Sequence, residues 1–107
     1  MPSDVVIVLT TWPADRDAAT FAETLVVERL AACVNVLGEM QSTYSWKGNV
    51  ERERERQIVM KTTAGRVEAL KARLAELHPY EVPELLVVQV DDGGSAYLGW
   101  VAESVGA

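Results

Sequence analysis

The chain carries one cysteine, one histidine and one phenylalanine among its 107 residues. A single thiol, Cys33, excludes an intrachain disulfide, and one cysteine with one histidine lacks the ligand spacing of any zinc motif. No apolar run approaches the roughly 18 residues that a membrane helix needs, so no membrane role is expected. The start, Met1-Pro2-Ser3-Asp4, is not cationic, and the apolar stretch Val5 to Leu9 is too short for a secretory leader. The cytoplasm is therefore the expected compartment. Basic residues are also short, 10 against 16 acidic ones, giving a net charge of −6. A negative field repels phosphate backbones, so no nucleic-acid partner is expected. With no Gly-rich phosphate loop and only His78 to serve a catalytic triad, a conventional enzyme site is unsupported.

What is present suits a globular chain. The hydrophobic share is 49% and the charged share 24%, near the averages for folded domains. A chain of this length buries roughly 65% of its unfolded surface, enough for one core without staples. One domain over 1–107 is expected.

Val5 to Leu9 is a β-branched run without polar alternation, which suits a strand buried on both faces. Thr10-Thr11-Trp12-Pro13 should break it. Asp15 is placed to cap a helix running to about Ala31, with Ala18, Phe21, Ala22, Leu25 and Leu30 at helical spacing. A second strand begins at Cys33 and continues through Trp46; Lys47-Gly48-Asn49 turns the chain; a third strand spans Val50 to Thr62. Thr63 can cap a helix striped by Val67, Leu70, Leu74 and Leu77, which Pro79 stops. Glu84 to Val90 forms a fourth strand, and Ser95 can cap a last helix carrying Tyr97, Leu98, Trp100 and Val101. The order is β-α-β-β-α-β plus a terminal helix: an α+β, ferredoxin-like sandwich with two helices on one face of an antiparallel sheet.

The middle hairpin is too long for its domain. Cys33 to Trp46 would extend to about 45 Å at roughly 3.3 Å per residue, against a diameter of roughly 33 Å for a compact chain this size. It must overhang the domain or bend at a bulge. Its outer part alternates Glu51, Glu53 and Glu55 on one face with Arg52, Arg54 and Arg56 on the other. Neither face can enter an apolar core, and an isolated two-stranded ribbon is marginal in water. Another copy of the chain is the economical support, with strand edges pairing between subunits.

Four blocks then resemble one family in order along nearly the whole chain. Leu30-Ala31-Ala32-Cys33-Val34-Asn35 is similar to its "LAACVN" segment. Ser42-x-Tyr44-x-Trp46-x-Gly48, with Glu51, Glu55 and Lys61-Thr62, is similar to its long hairpin. His78-Pro79-Tyr80-Glu81-Val82-Pro83-Glu84 resembles its "HPYEVPE" motif, and Tyr97-Leu98-x-Trp100 its closing block. The family is CutA, the divalent-cation tolerance proteins. The resemblance implies a PII-like homotrimer and no secure catalytic reaction. It also implies handling of copper or a similar divalent cation, or of a small ligand at intersubunit clefts.

On that resemblance Trp46, Glu55, Lys61, Tyr80 and Glu84 are candidate cleft residues, and His78 is the candidate metal ligand. Copper-binding members have a cysteine near the end of strand one and a second histidine before the "HPY" motif; Thr10 and Leu77 stand in those places here. Glu55 and Lys61 share a face of the third strand but lie roughly 20 Å apart along it. Cys33, in an apolar strand, reads as a small buried hydrophobe. The alternatives are a trimeric scaffold or signalling module, and an enzyme with an intersubunit site using Glu55, Lys61 or Glu84 as acid or base.

Overall fold

In the computed structural model, which describes residues 3–106, the elements run β1 (Val5–Pro13), α1 (Ala18–Val27), β2 (Cys33–Trp46), β3 (Asn49–Thr63), α2 (Val67–Leu77), β4 (Leu86–Gln89) and α3 (Ser95–Val105). The four-stranded sheet has the order β2-β3-β1-β4, with every neighbouring pair antiparallel. This is the ferredoxin-like order, extended by α3.

Alternation decides what each strand buries. Val6, Val8 and Trp12 of β1 share a face with Ile58 and Met60 of β3, and meet Phe21 and Leu25 of α1 and Leu70 and Leu74 of α2. Burying side chains of this size stabilises by about 1.5–3 kcal/mol each. A smaller cluster joins Val5 and Ala32 to Val101 and Val105, tying α3 to the sheet.

Several boundaries differ from the sequence reading, for local reasons. The strand β1 does not break at Thr10; it pairs with β3 as far as Pro13 opposite Glu55. Threonine and tryptophan are good strand residues, and proline is tolerated at a strand end. The cap of α1 is Asp17, not Asp15: its carboxylate accepts the Thr20 amide at 3.1 Å and the Thr20 hydroxyl at 2.6 Å. At the other end Leu30 N–H donates to Leu25 O and Arg29 N–H to Val26 O. That is a Schellman closure, with Arg29 at φ 59° in the position glycine prefers. Thr63 makes no side-chain cap, and a short 3-10 turn, Ala64–Arg66, precedes α2. Ser95 is the first residue of α3 and Gly94 its uncapped entry. Cys33 is partly exposed rather than buried, with Lys61 Nζ at 4.0 Å from its sulfur.

The hairpin both overhangs and bends. Lys47 and Gly48 have φ of 50° and 82°, as a tight two-residue turn of the right twist requires. The molecule measures 44 × 26 × 24 Å, longer than a sphere of its size because of this arm. Between Val36 and Glu39 the register shifts, so that Leu37 and Gly38 stand opposite Gln57 alone. Such a bulge bends and twists the ribbon. Among the described residues no helix is long and apolar enough to cross a membrane.

Candidate functional site

The bulge changes which face β2 presents. Before it, Val34 pairs with Met60 and faces the helices; after it, Met40 pairs with Glu55 and Tyr44 with Glu51. Because side chains alternate with a period of two, one extra residue turns Met40, Ser42, Tyr44 and Trp46 to the face opposite α1 and α2. There they join Glu55 and Gln57, the odd-numbered residues of β3. The segment after α2 crosses the same region and supplies Tyr80, Glu81 and Glu84. These side chains and Thr11 of β1 line a cleft of about 560 Å³.

His78 holds that segment in place. It is 8% exposed, and its ring packs against Trp12 and Tyr80 at centroid distances of 4.7 and 5.0 Å. Its Nε2 lies 2.6 Å from the carbonyl of Thr11, while the Tyr80 amide donates to Nδ1 at 3.0 Å. A carbonyl only accepts and an amide N–H only donates, so these partners assign the proton to Nε2 and a lone pair to Nδ1. Burial lowers the pKa of the ring, against the smaller opposing effects of the Thr11 carbonyl and the Glu55 charge. Neutral His78 thus bolts the start of the segment to β1.

Two hydrogen-bonded pairs form the floor. The Tyr80 hydroxyl donates to Glu55 Oε2 at 2.7 Å, and Glu55 is only 6% exposed. Lost solvation, then the hydrogen bond to Glu55, push the Tyr80 phenol far above its ordinary pKa. Gln57 Nε2 donates both to the Thr10 carbonyl at 2.7 Å and to Glu84 Oε2 at 2.8 Å. The Tyr44 phenol is also raised, first by lost solvation and then by the charges of Glu53, Glu51 and Glu55. The cleft is a negative field walled by aromatic rings.

Of the residues singled out from sequence, Trp46, Glu55, Tyr80 and Glu84 meet in this cleft. Lys61 does not: it sits opposite Cys33, bonded to Asn35 Oδ1, roughly 20 Å from Glu55 along β3. His78 stands behind the wall. Tyr44, Met40 and Gln57 were not anticipated, although the period of two on each strand carries the signal once the bulge is known. The donor set of one chain does not fit copper or a similar ion. Both His78 nitrogens are engaged, and among the described residues no three His, Cys, Asp or Glu side chains cluster as metal ligands.

Comparison with known proteins sets this geometry in context. A profile of the family described as CutA1 divalent ion tolerance protein matches residues 6–104. The divalent-cation tolerance protein CutA of Thermus thermophilus is 42% identical over 100 residues, covering 94% of this chain and 97% of its own. The crystal structure of CutA from Xylella fastidiosa superposes with a TM-score of 0.93 at 42% identity, covering 97% of this chain and 100% of the other. The PII-like protein CutA from Nostoc gives 0.87 at 39% identity, over 94% and 97% of the two chains.

Proposed function

The chain belongs to the CutA1 divalent ion tolerance family, and on that premise we propose that it is a non-catalytic binding protein. In this reading it works as a homotrimer, with its ligand held against the cleft of Trp46, Glu55, Tyr80 and Glu84. The observation that carries the assembly is apolar surface on a free strand edge. The outer strand β4 leaves Leu86, Val87 and Val88 exposed at 54%, 45% and 46%. Tyr44, Trp46 and Val50 are likewise exposed on the arm. Such edges pair with other chains unless they are guarded, and contiguous apolar surface marks association. An edge meeting a different surface on its neighbour closes into a ring when the rotation between copies allows it, and three is the proposed number. Light scattering on a sizing column should give three times the 11.7 kDa chain mass, and a monomer at micromolar concentration would overturn the reading.

The absence of catalysis in the proposal rests on the division of the charged groups. Lys61 lies away from the cleft carboxylates, and the one imidazole is neutral with both nitrogens engaged. A divalent ion, copper included, would then have to draw its ligands from more than one chain, with His78 kept as the bolt of the cleft wall. Calorimetric titration with copper at neutral pH tests this on the wild type and His78→Ala. Equal binding is expected; loss of binding in the variant alone would make His78 a ligand.

A further inference from the structure

Among the lining residues of the cleft are three carboxylates, of Glu55, Glu81 and Glu84, and no lysine, arginine or histidine. Among the described residues, none of the three forms an ion pair within the chain. Glu55 is the telling case, because 94% of it is removed from solvent (6% exposed) and its one hydrogen-bond donor, the Tyr80 hydroxyl, is neutral. A carboxylate so placed is under-compensated, and burial of a charge is costly until an opposite charge arrives. Glu84 is half-buried, and the neutral Gln57 amide is its side-chain donor among the described residues. Both carboxylates offer a second oxygen, Oε1, that accepts from no side chain among the described residues.

Resting on the reading of this cleft as a ligand site, we propose that it takes a small organic cation, a protonated amine or a guanidinium. The charged head meets Glu55 and Glu84, and the carbon stem lies against the rings of Tyr44, Trp46 and Tyr80. An inorganic divalent ion fits less well. Calcium takes six to eight oxygen ligands and magnesium near-octahedral oxygens, whereas this cleft offers few carboxylates and much aromatic surface. An organic cation is less strongly hydrated and gains from ring faces as well as from carboxylates. The cleft's volume of about 560 Å³ falls within the range of small-molecule sites.

Calorimetric titration of the full chain in low salt at pH 7.5 tests the proposal. The probes are 1,4-diaminobutane and 4-aminobutylguanidine, with 1,4-butanediol as neutral control, glutarate as anionic control, and magnesium chloride. Binding is followed in parallel by the indole N–H resonance of Trp46, assigned with Trp46→Phe. The cationic probes should bind saturably and move that resonance, the controls should not, and Glu84→Gln should weaken binding at least tenfold. Glu55→Gln should do the same, with its melting curve measured alongside to check that it folds. If butanediol or glutarate binds as tightly and moves Trp46, the cleft reading stands and the cationic class falls. If magnesium displaces the diamine, the organic class falls. If no probe moves Trp46, both readings fall, and binding that survives Glu84→Gln and Glu55→Gln places the site elsewhere.

Discussion

In the lower part of the β2–β3 hairpin Val34, Ile58 and Met60 pack beneath α1 and α2, while from Glu39 to Arg54 most side chains face solvent. The same two strands thus pass from a region that supplies its own core to one that has none. Below the bulge, register is fixed by burial, because a slip of one residue would expose Val34 and Met60. Above it, register is fixed by the Lys47-Gly48 turn and the ladder alone. The contact between Arg54 and Glu39 at 3.2 Å is exposed on both sides, and such pairs are worth about 0–1 kcal/mol. The base is built for stability, and the arm presents surface.

The sharpest way to break this contrast is to remove volume below the bulge and charge above it. Leu74 is 1% exposed against the sheet, and Leu74→Ala should cost about 2–5 kcal/mol in urea unfolding, through lost burial and the cavity left. Arg54→Ala should cost less than about 1 kcal/mol. Comparable losses would mean that the arm stabilises the chain as the base does.

The next effect in size belongs to assembly. Trp46 is 41% exposed on the single chain, so Trp46→Ala should leave the base intact. If a neighbour covers the ring, the variant should loosen the proposed trimer by about 1–3 kcal/mol. Its melting temperature would then depend on protein concentration more steeply than that of the wild type. Unchanged mass and melting at all concentrations would show that the arm is solvated.

How much of this was readable follows the same division. The base was legible because burial writes itself as periodicity: Phe21 and Leu25, or Leu70 and Leu74, announce a helix face, and Ile58 and Met60 a strand face. The overhang of the arm was legible from length alone, and a bulge was one of two outcomes foreseen. Its place was not, since Leu37 and Gly38 carry no mark that both must stand against Gln57. Yet that one residue decides that Tyr44 and Trp46 look at Glu55. The partnership of Gln57 with Glu84, and the locked tautomer of His78, depend on chain segments 27 and 67 positions away in sequence. The β1 extension is not legible because Thr-Thr-Trp-Pro has the look of a strand break, while β3 offers it partners as far as Pro13.

At the seam between base and arm, acid should act through His78. Burial depresses its pKa in the folded chain, while the unfolded imidazole protonates near 6.5. Its contribution is therefore complete above about pH 6.5 and is lost as pH falls through the depressed folded value, because unfolding then takes up a proton. One proton limits the slope to about 1.4 kcal/mol per pH unit. Urea unfolding from pH 7.5 to 5 should show this decline in the wild type and a flatter course in His78→Leu. Parallel curves would assign the decline to other groups.

The smallest effect sharpens the contrast most finely, because each region holds one non-glycine residue in left-handed conformation, Arg29 at φ 59° in the base and Lys47 at φ 50° in the arm. That conformation costs an ordinary residue about 1–2 kcal/mol, and glycine or asparagine relieves it. Arg29→Gly gives up only a long contact, 3.4 Å to the Gly106 carbonyl, and regains some freedom in the unfolded chain. It should still raise global stability by about 0.5–1 kcal/mol, since the Schellman closure belongs to the unit that holds the core. Lys47→Asn makes the Asn-Gly pair that a two-residue hairpin turn favours, so its local relief is similar. If the arm opens without the base, that relief is spent on local fraying and the melting temperature of the whole stays still. Amide exchange at Ser45 and Val50 should slow while the core amides do not change. Should Lys47→Asn raise the global melt as far as Arg29→Gly, base and arm unfold as one unit and the division drawn at the bulge is not an energetic one.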